Sequence, residues 1–285
     1  MNDTPAPDSE RKEATPYHVG AVTAFAYLLR KYIDNKDVVI IDEHQLSKQA
    51  LEIDFVVIKK NRDVTIETNS GRIFRGHNIV EYKSPSAPPP SIHVFNKVIS
   101  GYVGLYASQE RIMLTDMTAT IVCFKRPQKL FQKLETELNY KILREYPGIY
   151  YIIQEGFPAD KALAIQIIVN SELQGELALS AFRPNIDVET AKRVIRELPA
   201  EDDENSSVSL ASWWDIMFLM NPNLYEEAIM VGWDKFFKYA EEKGMTKEWT
   251  ELGRQEGMRQ GMQKVFALLK KGYSIEEAEK KLQLV

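Results

Sequence analysis

Asp54 and the triplet Glu81-Tyr82-Lys83 are the residues of this sequence whose types and spacing suit chemistry on a phosphate. Carboxylates are the hard oxygen donors that Mg²⁺ takes one or two at a time while keeping waters and substrate phosphate oxygens. A lysine beside them can hold an attacking water or neutralise charge developing on the phosphate. A Glu-x-Lys triplet alone carries little information, and the chain has others at Glu10/Lys12, Glu241/Lys243 and Glu279/Lys281. Those lie in polar or helical stretches, whereas Glu81 ends the β-type run Asn78-Ile79-Val80. Residues two apart on a strand share a face. Glu81 and Lys83 are therefore expected to project together, and Glu52 and Asp54 to share a face of their own strand. The competing reading makes Asp54 and Glu81 solvent-facing residues of an antiparallel sheet, paired with Lys83 across strands.

Other constellations fall away. His18, His44, His77 and His93 have no i,i+3 or i,i+4 spacing and no cysteine pair beside them, which disfavours zinc. His77 shares the parity of Glu81 and reads as a solvent-facing residue. Cys123, the single cysteine, lies in the apolar run Ile121-Val122-Cys123-Phe124 and reads as a buried small hydrophobe. No P-loop, G-x-G-x-x-G or G-x-S-x-G appears.

The elements that must position these residues follow from periodicity. Apolar residues at helical spacing predict a first helix over 17–33. Strands are predicted at 38–41, 51–59, 78–83, 119–124, 149–153 and 163–169, and a hairpin at 63–68 and 72–75 around Asn69-Ser70-Gly71. The cluster Pro85, Pro88, Pro89 and Pro90 marks a rigid loop before a helix over 92–106. Pro127 opens a basic amphipathic helix, and 188–198 is a further helix. The order is that of an α/β protein: a strand meander, then a helix crossing to another strand.

The segment 1–16 is polar, has three prolines and lacks an apolar core, so it reads as a disordered lead-in and not a signal peptide. A main domain over 17–199, an acidic linker at 200–208 and a helical region over 209–285 complete the expected organisation. The Trp213-Trp214 block is too short to span a bilayer and is expected to pack on the preceding domain. No membrane association and a reducing, cytoplasmic setting are expected. A net charge of −5 argues against bulk electrostatic binding of nucleic acid. Locally, Lys125, Arg126, Lys129, Lys133, Lys141 and Arg144 outnumber Glu135 and Glu137, making 125–144 the candidate DNA-facing surface. Its competing reading is a solvated helix face. Gly253, Gly257 and Gly261 form a small-residue stripe on one helical face, suited to close helix contact in a homo-oligomer.

Asp54 in an apolar strand, then a hairpin, then Glu81-Tyr82-Lys83 and a helix, resembles the PD-(D/E)XK nuclease superfamily. More narrowly it is similar to the transposase-like branch with the recombination-promoting (Rpn-type) nucleases. The Gly-repeat tail over 251–261 and its closing helix are similar to tails of that branch. The resemblance implies a restriction-endonuclease-like core, a central mixed sheet flanked by helices, with a C-terminal helical extension. It implies Asp54 and Glu81 as ligands of Mg²⁺ (or Mn²⁺) and Lys83 as the residue that assists the water. It also implies a polar residue from the following helix, for which Asn96, Lys97 and Tyr102 compete. At 100° per residue the three cannot share a face, which leaves Lys97. The expected activity is endonucleolytic hydrolysis of DNA with low sequence specificity. The alternative is a catalytically silent protein of the same fold that binds DNA or assembles, favoured by the acidic charge and by the lack of any carboxylate over 17–33.

Overall fold

The computed structural model describes residues 16–41, 55–180, 182–184 and 186–197, with 220–221, 264–265, 267–268 and 271 beyond them. Glu52, Asp54, residues 1–15, the acidic linker, Trp213, Trp214 and the Gly253/Gly257/Gly261 stripe lie outside the described residues.

The protein is α/β, built on a seven-stranded mixed sheet with flanking helices. The strands are β1 (Val38–Ile41), β2 (Phe55–Lys60), β3 (His77–Tyr82), β4 (Met117–Cys123), β5 (Tyr140–Tyr146), β6 (Ile149–Gln154) and β7 (Ala164–Val169). Their order is β1-β2-β3-β4-β7-β6-β5. The expected meander β1-β2-β3 is antiparallel, and a helical crossover then lays β4 parallel to β3. Parallel strands covered on both faces read as continuous apolar runs rather than alternations. Both β4 (MTATIVC) and β7 (AIQIIV) are buried at every position.

Alternation sends the apolar side chains of each strand to two cores. The back core holds Val56, Ile58, Val80 and Val122 under α1 (Pro16–Leu28), α6 (Leu177–Ser180) and α7 (Val188–Glu197). Met220, from the apolar block beyond the linker, is buried there, as is Val265. The front core holds Val57, Ile79, Ile121 and Ile167 under the helix after β3 and under α5 (Gln128–Glu137). The first helix is interrupted at Leu29 (φ −102°, ψ 5°), after which a short α2 (Arg30–Asp34) follows.

Three expectations are corrected. Residues 63–75 form no hairpin; the segment folds over the back of the sheet with Ile66 and Phe74 in the core. Buried backbone groups need partners, and here distant side chains supply them. The Glu176 carboxylate accepts from the Asn69 and Ser70 amides (2.7 and 3.3 Å) and from Ser70 Oγ (3.0 Å). Gln166 Nε2 donates to Ser70 O (2.8 Å) and Asn78 Nδ2 to Arg75 O (2.7 Å). A methyl group on Gly71 would lie 2.4 Å from Ile66 Cγ2, so the turn closes too tightly for any other residue.

Second, the basic helix stops at Glu137, and 140–146 is the edge strand β5. Edge strands carry charge to discourage further pairing, which is why Lys141, Arg144 and Glu145 mask its strand character.

Third, the helix after β3 changes its winding. It runs as α3 (Ile92–Asn96), a π-helical stretch Lys97–Val103 and α4 (Gly104–Glu110). Its i→i+5 hydrogen bonding departs from the 100° spacing applied to Asn96, Lys97 and Tyr102 together. The Lys97 ammonium lies over the Tyr102 ring, 4.8 Å from its centroid.

Candidate active site

Glu81 sits near the C-terminal end of β3, between antiparallel β2 and parallel β4, on the front face with Ile79 and Ile121. Its side chain is 0% exposed. Lys83 follows the end of the strand. Its amide donates to Val122 O (2.8 Å), which continues the ladder far enough to keep the side chain on the face of Glu81. The Lys83 ammonium contacts Glu81 Oε1 in an ion pair and stays one-quarter exposed. The two residues therefore project together, as their spacing predicts, and the pair lies within one strand instead of bridging two.

Removing an ion pair from water costs several kcal/mol per charge even after relaxation, and an apolar pair of similar volume is often as stable. A fully buried glutamate among apolar strand residues is thus poorly explained by stability, and such groups concentrate at functional sites. A carboxylate is also a suitable hard donor for Mg²⁺. Directly opposite Glu81 in the register stands Phe55, the first described residue of β2. Asp54 precedes it in sequence and lies outside the described residues. Among the described residues no group of three His, Cys, Asp or Glu side chains forms a metal site. No family model, curated protein or solved structure matches the chain.

Lys97 is exposed, and its ammonium is directed at Tyr102 and forms no ion pair with Glu81. His77 lies four residues back along β3, about 13 Å from Glu81 at ~3.3 Å per residue. It is not solvent-facing: Nδ1 lies 2.9 Å from Tyr106 Oη, and burial, then Lys59, lowers its pKa. Cys123 is buried, and desolvation pushes its thiol up to about 12, which bars it from nucleophilic chemistry at neutral pH.

The cations of 125–144 do not form one surface. Lys129 and Lys133 are exposed on α5, whose buried side is Leu130, Phe131 and Leu134. Lys141 alternates with Tyr140 and Ile142, which pack on the front core, and so points to the back. Arg126 and Arg144 instead gather at Tyr150 on the front face. The Arg126 guanidinium lies 5.1 Å from the Tyr150 ring centroid and 5.8 Å from that of Phe131. Arg144 is the register partner of Tyr150 across β5 and β6. The Tyr150 hydroxyl donates to the Glu172 carboxylate. Its pKa is raised by burial, then by that hydrogen bond and the Glu172 charge, against the pull of Arg126 and Arg144. Sequence spacing gave no sign of this cluster, because Arg126, Arg144, Tyr150 and Glu172 meet only through the pairing of β5 with β6 and β6 with β7.

A cleft of about 480 Å³ opens at the other end of the sheet, lined by Lys60, Arg62, Asp63, Arg75 and Asp116 among others. Its cations serve the fold. Arg75 Nη1 donates to Thr115 O (2.7 Å) and Ala162 O (2.5 Å), Lys60 donates to Phe74 O (3.3 Å), and Arg62 pairs with Asp37 (3.4 Å). The chemistry-bearing residues lie away from this cleft.

Proposed function

We propose that the chain is a metal-dependent nuclease that hydrolyses phosphodiester bonds of DNA, on a restriction-endonuclease-like core of the PD-(D/E)XK kind. The observation that carries the reading is the fully buried Glu81 carboxylate with the Lys83 ammonium upon it, at the C-terminal end of β3. Asp54 and Glu81 would hold Mg²⁺ or Mn²⁺, which when bound supplies Lewis-acid polarisation of the phosphate. Lys83, exposed enough to meet solvent and anchored by Glu81, would orient the attacking water and offset charge gathering on the phosphate oxygens. Lys97, beyond the proline loop, would contribute a cation from the helix that follows. Nothing in the sequence suggests base-specific readout, so low sequence specificity is expected.

The second reading keeps the fold without the chemistry: a protein that binds DNA or assembles. Its support is the Glu81–Lys83 pair itself, since the lysine already neutralises the carboxylate. Plasmid nicking with Mg²⁺ or Mn²⁺ separates the two. The wild type should nick, while Asp54→Ala and Lys83→Ala should lose at least ~100-fold, the scale for removing one charge-stabilising group. Equal activity in all three proteins would sink the site, and no activity in the wild type would favour the silent alternative.

A further inference from the structure

We propose that Arg126 and Arg144 form a second phosphate site, which grips the DNA backbone away from the bond being cut. The inference rests on the nuclease reading for its substrate, and on independent geometry for its residues. A guanidinium laid over aromatic rings is fixed in place while its N–H fork stays free for a phosphate. Arg126 has that placement, over Tyr150 and Phe131, and is exposed. Arg144 is exposed beside the same Tyr150, since directly paired residues carry their Cβ atoms about 4.5–5.5 Å apart on one face. Among the described residues neither guanidinium makes a hydrogen bond or ion pair. The nearby carboxylate of Glu172 accepts from Tyr150 instead, so two positive charges face one negative.

The register fixes how far this site lies from Glu81. Glu81 pairs with Ile121, Ile121 with Ile167, and Ile167 with Tyr150, all in one row on the front face. Three strand spacings of ~4.8 Å separate Glu81 from Tyr150, about 14 Å. That span exceeds the separation of neighbouring phosphates on one strand, so the gripped phosphate is distinct from the scissile one. On this proposal the substrate is a polynucleotide long enough to reach both sites.

The test is binding of a labelled duplex of about 20 base pairs to the full chain in EDTA, followed by anisotropy between about 50 and 200 mM salt. Each phosphate contact contributes about 0.9 to the slope of log K against log salt. Arg126→Ala/Arg144→Ala should lower the slope by about 2, a roughly tenfold change in the salt penalty over that range. Arg126→Lys/Arg144→Lys should restore it, since the charge returns. Arg144→Ala alone, on an exposed edge strand, should lower it by about 1 and covers the case in which the double variant folds poorly. An unchanged slope in Arg144→Ala and the double variant overturns the proposal, as does a wild type that fails to bind at low salt. A wild type that binds with these slopes yet never nicks overturns the nuclease reading and leaves this site standing.

Discussion

Lys83 places its ammonium on the carboxylate of Glu81 two residues earlier, so that a fully buried charge and a partly exposed one share a single face at the end of β3. Removing one partner of such a pair leaves the other buried and uncompensated. Lys83→Met is expected to destabilise the fold by about 3–5 kcal/mol, whereas Glu81→Leu/Lys83→Met should recover most of that loss. Urea unfolding of both variants checks this. A double variant no more stable than the single one would show that the charges stabilise the fold, and would weaken the case that they are kept for chemistry.

His77 ties stability to pH. Its folded pKa lies below the ordinary value because burial and Lys59 disfavour the charged ring. Between the lowered value and the unfolded value near 6.5 the unfolded chain binds more protons, so stability rises with pH through that window. Below the window the penalty is fully present, and above it the penalty vanishes. His77→Asn should flatten this part of a stability–pH curve, as measured by the denaturant midpoint from about pH 4.5 to 7.5. A slope that persists in the variant would assign the effect to another group.

Gly148 closes the β5–β6 hairpin at φ +78°, and a Cβ there would meet Leu173 N at 2.6 Å. Backbone strain of about 1–3 kcal/mol joins an overpacking penalty of similar size. Gly148→Ala should therefore lower stability by about 2–6 kcal/mol, visible as a fall in Tm by calorimetry. Gly156 has a similar φ of +81° but open space around it, so Gly156→Ala should show only the backbone part.

What the sequence revealed follows from how local each cause is. β4 and β7 were legible because their apolar runs reflect burial along the whole strand, and β1 and β6 because their runs are short and rich in β-branched and aromatic residues. The shared face of Glu81 and Lys83 was legible because alternation is a property of the strand itself. The loop over 63–75 was not, since its turn is captured by Glu176, more than a hundred residues away. β5 was hidden by the charges an edge strand carries. The contact of Lys97 with Tyr102 was not legible because the 100° spacing applied to Asn96, Lys97 and Tyr102 fails where the helix widens. The Arg126–Tyr150–Arg144 cluster required the strand order, which no local pattern contains.

That strand order also has a consequence for the nascent chain. β7 is inserted between β4 and β6, so the inner edges of both strands stay unsatisfied until residue 169 has been made. At ~5–20 residues per second, the ribosome needs roughly 2 to 9 s after Cys123 to supply the missing strand. Throughout that interval Met117–Cys123, a β-prone and uncharged edge, is open to pairing with neighbouring chains. Yield in the cell should therefore depend on translation speed and chaperone supply across 124–169, a kinetic vulnerability written into the topology and independent of the stability of the finished fold.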